Sequence, residues 1–225
     1  MIHKTAAALL FDLDETLISS IAATERVWGR WAAGHNLDVP VFLRTMHGRR
    51  AIELISALKL PGVDPRVDAA KIAAGELIDL DGIVQIAGAR RFLQGLPSER
   101  WAIVTSAPRE LAIARLAAAD MPVPNILISA EDVRRGKPEP DGFLLAADRL
   151  GVPPKDCIVF EDAPAGIQAG EAAGATVVVV NALGSAHTRP AERPIVVNYD
   201  DVSVDVRSDS LVLHLPAPSV ERNDH

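Results

Sequence analysis

Asp12 and Asp14 stand two residues apart at the end of an apolar run, so in an extended segment both carboxylates project to one side. One carboxylate of such a pair can attack phosphorus as a nucleophile, splitting one difficult substitution into two easier ones. The other can protonate a leaving alkoxide and then deprotonate the attacking water. An anionic nucleophile is repelled by a phosphate dianion unless a hard cation screens both. Mg²⁺ suits that task, because it takes oxygen ligands, keeps waters and is held by one or two carboxylates plus the substrate phosphate. Asp12 and Asp162 are the expected direct ligands, with the Asp14 backbone carbonyl and Glu161, directly or through water, completing the shell.

Charge on the transferring group needs its own donors, since phosphoryl transfer is catalysed mostly by positioning and electrostatics. Thr105-Ser106 supplies hydroxyls, and Ser106 is expected also to cap a helix that begins near Pro108. Lys137, in Gly136-Lys137-Pro138, supplies a compact positive charge.

These groups sit far apart in the chain, and what gathers them is the pattern of elements. Apolar runs of strand length occupy 6–11, 101–104, 126–128, 157–160 and 176–180, and helical patterning covers 109–119, 141–150 and 163–173. That alternation predicts an α/β fold, a Rossmann-like parallel sheet covered on both faces. The chemistry stands just past the runs, and ligands bind beyond the carboxyl ends of strands in such sheets. Between residues 16 and 87 lies a stretch of roughly 70 residues, where a strand-to-helix connection usually takes about 2–6. Helical patterning over 21–33, 50–58 and 65–80, with no convincing strand, predicts an inserted α-helical cap over 19–86, set into a core of 1–18 and 87–215. Segments 194–197 and 211–215 read as short strands extending the sheet edge, and 216–225 reads as a frayed, disordered tail.

Composition narrows the class of function. Hydrophobic residues make up 48% and charged residues 24%, the balance of a folded globular protein. The formal net charge of -7 argues against a broad nucleic-acid surface, which needs a clustered basic face. The expected partner is a small phosphorylated metabolite, with no nucleic acid and no membrane, and a monomer is a plausible state. Cys157 is the only cysteine, and neither a signal peptide nor a transmembrane run is evident, so the expected location is cytoplasmic.

Four ordered segments carry a resemblance. Asp12-Leu13-Asp14-Glu15-Thr16-Leu17, Val104-Thr105-Ser106, the run from Gly136-Lys137-Pro138 to Phe143, and Phe160-Glu161-Asp162-Ala163-Pro164-Ala165-Gly166-Ile167 resemble the motifs of the haloacid dehalogenase superfamily. Within it the chain looks like the branch with a helical cap after the first motif, which includes sugar and polyol phosphatases and β-phosphoglucomutase. The resemblance implies a Mg²⁺-dependent phosphatase with Asp12 as nucleophile, Asp14 as acid/base, Ser106 and Lys137 as phosphate donors and Asp162 as metal carboxylate. Asp14 argues against the dehalogenase branch, which lacks the second Asp, and against the ATPase branch, which carries Thr. Glu15 departs from the Gly usual in the phosphatases; Glu takes positive φ less readily, so either that conformation is not required or the turn differs. Met46-His47-Gly48-Arg49-Arg50 resembles the cap specificity segment of phosphatases acting on sugar and polyol phosphates, with the choice between Arg49 and Arg50 open.

Plainer roles compete at several positions. His47 fits a solvated cap histidine as well as a substrate contact. Arg90-Arg91 and Arg134-Arg135 read as solvated faces, Trp28 and Trp31 as cap core, and Cys157 as inert packing.

Overall fold

The structure, a computed structural model, describes residues 1–46, 48–182 and 193–217. His47 and the expected tail from residue 218 onward lie outside these residues. In chain order the first elements are β1 (Ile2–Ala6), β2 (Ala8–Phe11) and β3 (Ile18–Ser19), then the helices α1 (Ile21–Gly34), α2 (Val39–Leu43), α3 (Ala51–Leu58) and α4 (Pro65–Ile78). β4 (Val84–Gln85), α5 (Ala89–Gln94), β5 (Trp101–Val104), α6 (Arg109–Ala118), β6 (Leu127–Ile128), α7 (Asp141–Leu150), β7 (Cys157–Glu161), α8 (Pro164–Ala172) and β8 (Thr176–Val180) follow. The last are β9 (Ile195–Val196), β10 (Ser203–Val206) and β11 (Leu211–Leu215).

Six strands form a parallel sheet in the order β6-β5-β2-β7-β8-β9. From central β2 the chain runs out to β5 and β6 on one side, then returns to β7, β8 and β9 on the other. The strand order therefore reverses beside β2, where doubly wound sheets bind ligands. Alternate residues of each strand face opposite layers. Leu9, Phe11, Ile103, Phe160 and Val178 join one apolar cluster, and Ala8, Leu10, Val104, Val159 and Val177 join the other. Both faces are dry, which is why these strands read as unbroken apolar runs.

Three sequence expectations need correction. The run 6–11 is not one strand: at Ala7, whose N–H donates to the Asp156 carbonyl at 2.7 Å, the chain changes partners. β1 leaves the parallel sheet and, with β11 and the unexpected β10, forms a separate antiparallel sheet in the order β1-β11-β10. The segment 211–215 thus belongs to this second sheet, and only β9 extends the edge of the first. The insertion also contains strand after all, the two-residue pair β3 and β4, too short to leave a period in the sequence.

α1 to α4 lie over the carboxyl edge of the parallel sheet and share an apolar cluster built on Val27, Trp28, Phe42, Leu54, Ile55 and Ile72. Trp28 stacks edge-on against Trp31, with centroids 5.8 Å apart; Trp28 is buried in this cluster and half-buried Trp31 packs against it. Asp64 starts α4 by accepting hydrogen bonds from the N–H groups of Arg66 and Val67, with Pro65 at the first helical position. Among the described residues no helix is long and apolar enough to cross a membrane.

Candidate active site

The register of the sheet brings the acidic motifs together. Phe11 pairs with Phe160, and the Asp12 N–H donates to the Phe160 carbonyl at 3.0 Å, so Asp12 emerges beside Glu161 and Asp162. One carboxylate oxygen from each of these three residues lies within 4.8 Å of the others. Lys137 reaches the same point: its Nζ donates to Asp12 Oδ1 and, at 2.7 Å, to Glu161 Oε1, with the Phe143 ring 5.3 Å away.

Three carboxylates share one ammonium, and the protons register the imbalance. Burial first, then Glu161 and Asp14, push Asp12 up to about 8 against the pull of Lys137. Burial, Glu161 and Asp12 likewise hold Asp162 well above the usual carboxylate range. Burial works against the charge on Lys137, but its two carboxylate partners outweigh it and raise its pKa. A dry, all-oxygen cluster with surplus negative charge fits a hard divalent cation such as Mg²⁺. Glu161 has both oxygens engaged, since Oε2 accepts from the Ala163 N–H at 2.8 Å. Gly166 makes room for it: a Cβ there would lie 1.5 Å from Glu161 Oε1.

Asp14 does not share the cluster. Its Oδ1 accepts from Ser20 Oγ at 2.6 Å and from Arg115 Nη1 at 2.8 Å, which turns this oxygen toward α1 and α6. Ser106 and Thr105 line the same cavity as Asp12 and Asp14. The cap expected of Ser106 is absent. Pro108, with extended ψ of 148°, is itself the boundary residue of α6, and the Ser106 hydroxyl crosses to the Gly48 carbonyl at 3.0 Å. Thr105 Oγ1 accepts from the Ala107 N–H at 3.0 Å and so closes the turn.

The two adjacent arginines before α3 have different places. Arg50 is a strut: its Nε donates to Glu53 Oε1 at 2.9 Å, its Nη1 to the Val133 carbonyl at 3.2 Å and its Nη2 to the Arg134 carbonyl at 3.0 Å. Arg49 and Gly48 line the cavity instead.

Glu15 resolves the departure noted in the first motif. Its φ is 59°, so the left-handed turn is kept with a residue that strains to adopt it. The side chain offsets that strain. Oε1 accepts from the N–H groups of Ser20 and Ile21 at 2.7 and 2.8 Å, and Oε2 accepts from Ser19 Oγ at 3.1 Å. A carboxylate thereby satisfies the first donors of α1, which has no side-chain cap from Ser20.

Sequence reasoning missed Arg115 and Glu76. On α6 the buried positions are Leu111, Ala112, Arg115 and Leu116; on α4 they are Asp68, Ile72 and Glu76. On α6 a charged residue in an otherwise apolar helical stripe was the available signal for Arg115; α4, with Asp68 buried as well, offered none for Glu76. Burial, opposed by Arg115 and the Trp28 indole, raises the Glu76 carboxyl above its ordinary value.

A doubly wound sheet with acids, a lysine and hydroxyls converging at its switch point beneath a helical layer defines a phosphoryl-transfer type of hydrolase site. The chain belongs to the haloacid dehalogenase-like hydrolases, whose family model matches residues 6–174. It is 40% identical over 192 residues to hexitol phosphatase A of Escherichia coli, covering 82% of this chain and 84% of that protein. It is 31% identical to 2-deoxyglucose-6-phosphate phosphatase 2 of Saccharomyces cerevisiae, covering 96% and 90% respectively. A β-phosphoglucomutase from Clostridium difficile shares the fold with a TM-score of 0.73 at 22% identity, covering 86% of this chain and 91% of that one. The curated relatives it resembles are thus phosphatases within the same family, and the mutase likeness is one of fold.

Proposed function

We propose that this protein is a Mg²⁺-dependent phosphatase that hydrolyses a small sugar or polyol phosphate through a phosphoryl ester on Asp12. The observation that carries this reading is the Asp12, Glu161, Asp162 and Lys137 cluster, whose Asp12 and Asp162 line a cavity together with Asp14 and Ser106. The sugar-phosphate phosphatases among its relatives support the substrate class.

Asp12 Oδ attacks phosphorus, and the bond to the leaving alkoxide breaks as Asp14 gives that oxygen a proton. Water then attacks the phosphoryl ester, Asp14 takes its proton, and Asp12 leaves as a carboxylate. Lys137 orients Asp12 and, with Ser106, offsets charge on the phosphoryl oxygens. Asp12 and Asp162 would hold the cation, with Glu161 behind them; the cation supplies charge neutralisation between nucleophile and phosphate. The helical layer, residues 19–86, acts as a cap over a core of 1–18 and 87–215, opening to exchange ligands. Cys157 takes no part: it is buried, and burial followed by Asp156 pushes its thiol up to about 11. A reducing cytoplasm suits it.

The test is a phosphate-release screen over phosphorylated hexitols, hexoses, glycerol and nucleotides, with Mg²⁺ and with a chelator. Release from a hexose, hexitol or glycerol phosphate that the chelator abolishes is expected. Preference for a nucleotide overturns the substrate class. A bisphosphate requirement without phosphate release overturns hydrolysis in favour of mutase chemistry.

A further inference from the structure

Arg115 is a guanidinium where the α6 stripe calls for a leucine, and it joins both layers. Its Nη1 donates to Asp14 Oδ1 at 2.8 Å on the core side. Its Nη2 donates to Glu76 Oε1 at 3.0 Å and to Thr24 Oγ1 at 2.9 Å on the cap side. The Arg115 side chain is 5% exposed and that of Glu76 10%. Arg115 Nε is buried with no hydrogen-bond partner among the described residues, an arrangement that costs stability. A fold needing only to fill this position would do better with an apolar side chain. Arg115 and Glu76 line the same cavity as Asp12 and Ser106.

The charge of this wall limits what lies against it. Asp14 and Glu76 both accept from the one guanidinium, so the wall offers an incoming anion no unanswered positive charge and faces it with the Glu76 carboxyl. A second phosphate or a carboxylate on the far end of the substrate is repelled there. Hydroxyls are not: each can donate to a carboxylate and accept from a guanidinium.

We propose that Glu76 and Arg115 form a hydroxyl-reading subsite, in which Glu76 accepts from and Arg115 donates to hydroxyls of a neutral polyol or sugar, so that the enzyme rejects phosphomonoesters bearing a second anion. This rests on the phosphatase reading above. Because one partner comes from the cap and the other from the core, the subsite exists only with the cap seated, and selection is coupled to closure.

The experiment measures kcat/KM of the full chain with Mg²⁺ on a hexitol phosphate, on 2-phosphoglycolate and on p-nitrophenyl phosphate, which lacks hydroxyls. Glu76→Gln and Glu76→Ala are expected to lose about tenfold or more on the hexitol phosphate relative to the aryl phosphate, mainly through KM. Glu76→Lys is expected to raise the phosphoglycolate-to-hexitol ratio by about tenfold. Ratios between substrates are internal to the folded fraction, so a variant that folds poorly still reports. Equal losses on all three substrates, or no loss on the hexitol phosphate, overturn the subsite. Failure of the parent reading is distinct, because the wild-type protein would then release no phosphate from the hexitol ester while still cleaving a nucleotide or nothing.

Discussion

Ser106 Oγ donates to the Gly48 carbonyl at 3.0 Å, so the hydroxyl at the end of β5 is joined to the backbone between α2 and α3. An anion that takes the hydroxyl proton of Ser106 must compete with this carbonyl for it. Gly48 permits the contact: its φ is +74°, and a Cβ there would stand 2.6 Å from the Cβ of Ala163. Gly48→Ala adds both a strained backbone and a clash, each worth about 1–3 kcal/mol. We expect kcat/KM to fall at least about tenfold and the melting temperature to fall by roughly 4 °C or more. Unchanged kinetics would remove the cap segment from the site.

Asp12→Asn should abolish turnover, because an amide is no nucleophile for phosphorus; a loss of about a thousandfold or more is expected. The fold should survive. The ionised Asp12 carboxylate is already disfavoured by its burial and by Glu161 and Asp14, so the neutral amide relieves repulsion. Circular dichroism and phosphate release on the same preparation check both halves, and substantial activity in clean protein defeats the mechanism.

The cluster was legible in the sequence because each acidic motif ends a strand that reads as an apolar run, and parallel register carries those ends to one edge. The Glu76–Arg115 pair was not, because its members are 39 residues apart and meet across two layers. Asp14 and Arg115 are 101 apart. Arg49 and Arg50 are adjacent and identical in type, so only the positions of Glu53 and the Val133 carbonyl separate strut from cavity wall. β1 was hidden because its apolar end at Ala6 merges into β2, and only the partner change at Ala7 divides them.

Metal and pH should be linked. The folded-state value of Asp12, about 8, lies above its ordinary value of 3.8. A raised acid contributes stability that is complete below its unfolded value and is lost as pH rises through the folded one. Metal-free protein should therefore lose stability from this group between about pH 4 and 8. A cation binds the ionised carboxylates, so its stabilisation should grow over the same range, reaching about 2–3 kcal/mol at a hundredfold excess over Kd. Melting curves with Mg²⁺ and with chelator at mildly acidic and mildly alkaline pH test this, and an equal shift at both defeats it.

Glu15→Ala keeps the left-handed turn but removes the acceptor for Ser20 and Ile21, so a loss of about 1–2 kcal/mol is expected. Glu15→Gly loses the same acceptor but relieves about 1 kcal/mol of backbone strain and should lie between Ala and wild type. Denaturant titration ranks the three. Gly ranking below Ala would mean that the turn carries no strain.

Tyr199 is 0% exposed, its ring set among Phe11, Phe92 and Phe160 with centroids 6.4, 5.4 and 5.8 Å away. Its hydroxyl has no hydrogen-bond partner among the described residues. Burial, then the charges of Asp12 and Asp162, hold the phenol well above its ordinary pKa, so the oxygen stays protonated and its donor goes unmet. Removing a buried, unpartnered hydroxyl recovers its desolvation cost while keeping the ring contacts, so Tyr199→Phe should stabilise the protein by about 1 kcal/mol, raising the melting temperature by roughly 2–4 °C. A fall in stability with unchanged kinetics would mean that the hydroxyl is satisfied inside the aromatic core. A fall accompanied by reduced turnover would instead tie it to the carboxylates whose charge it feels.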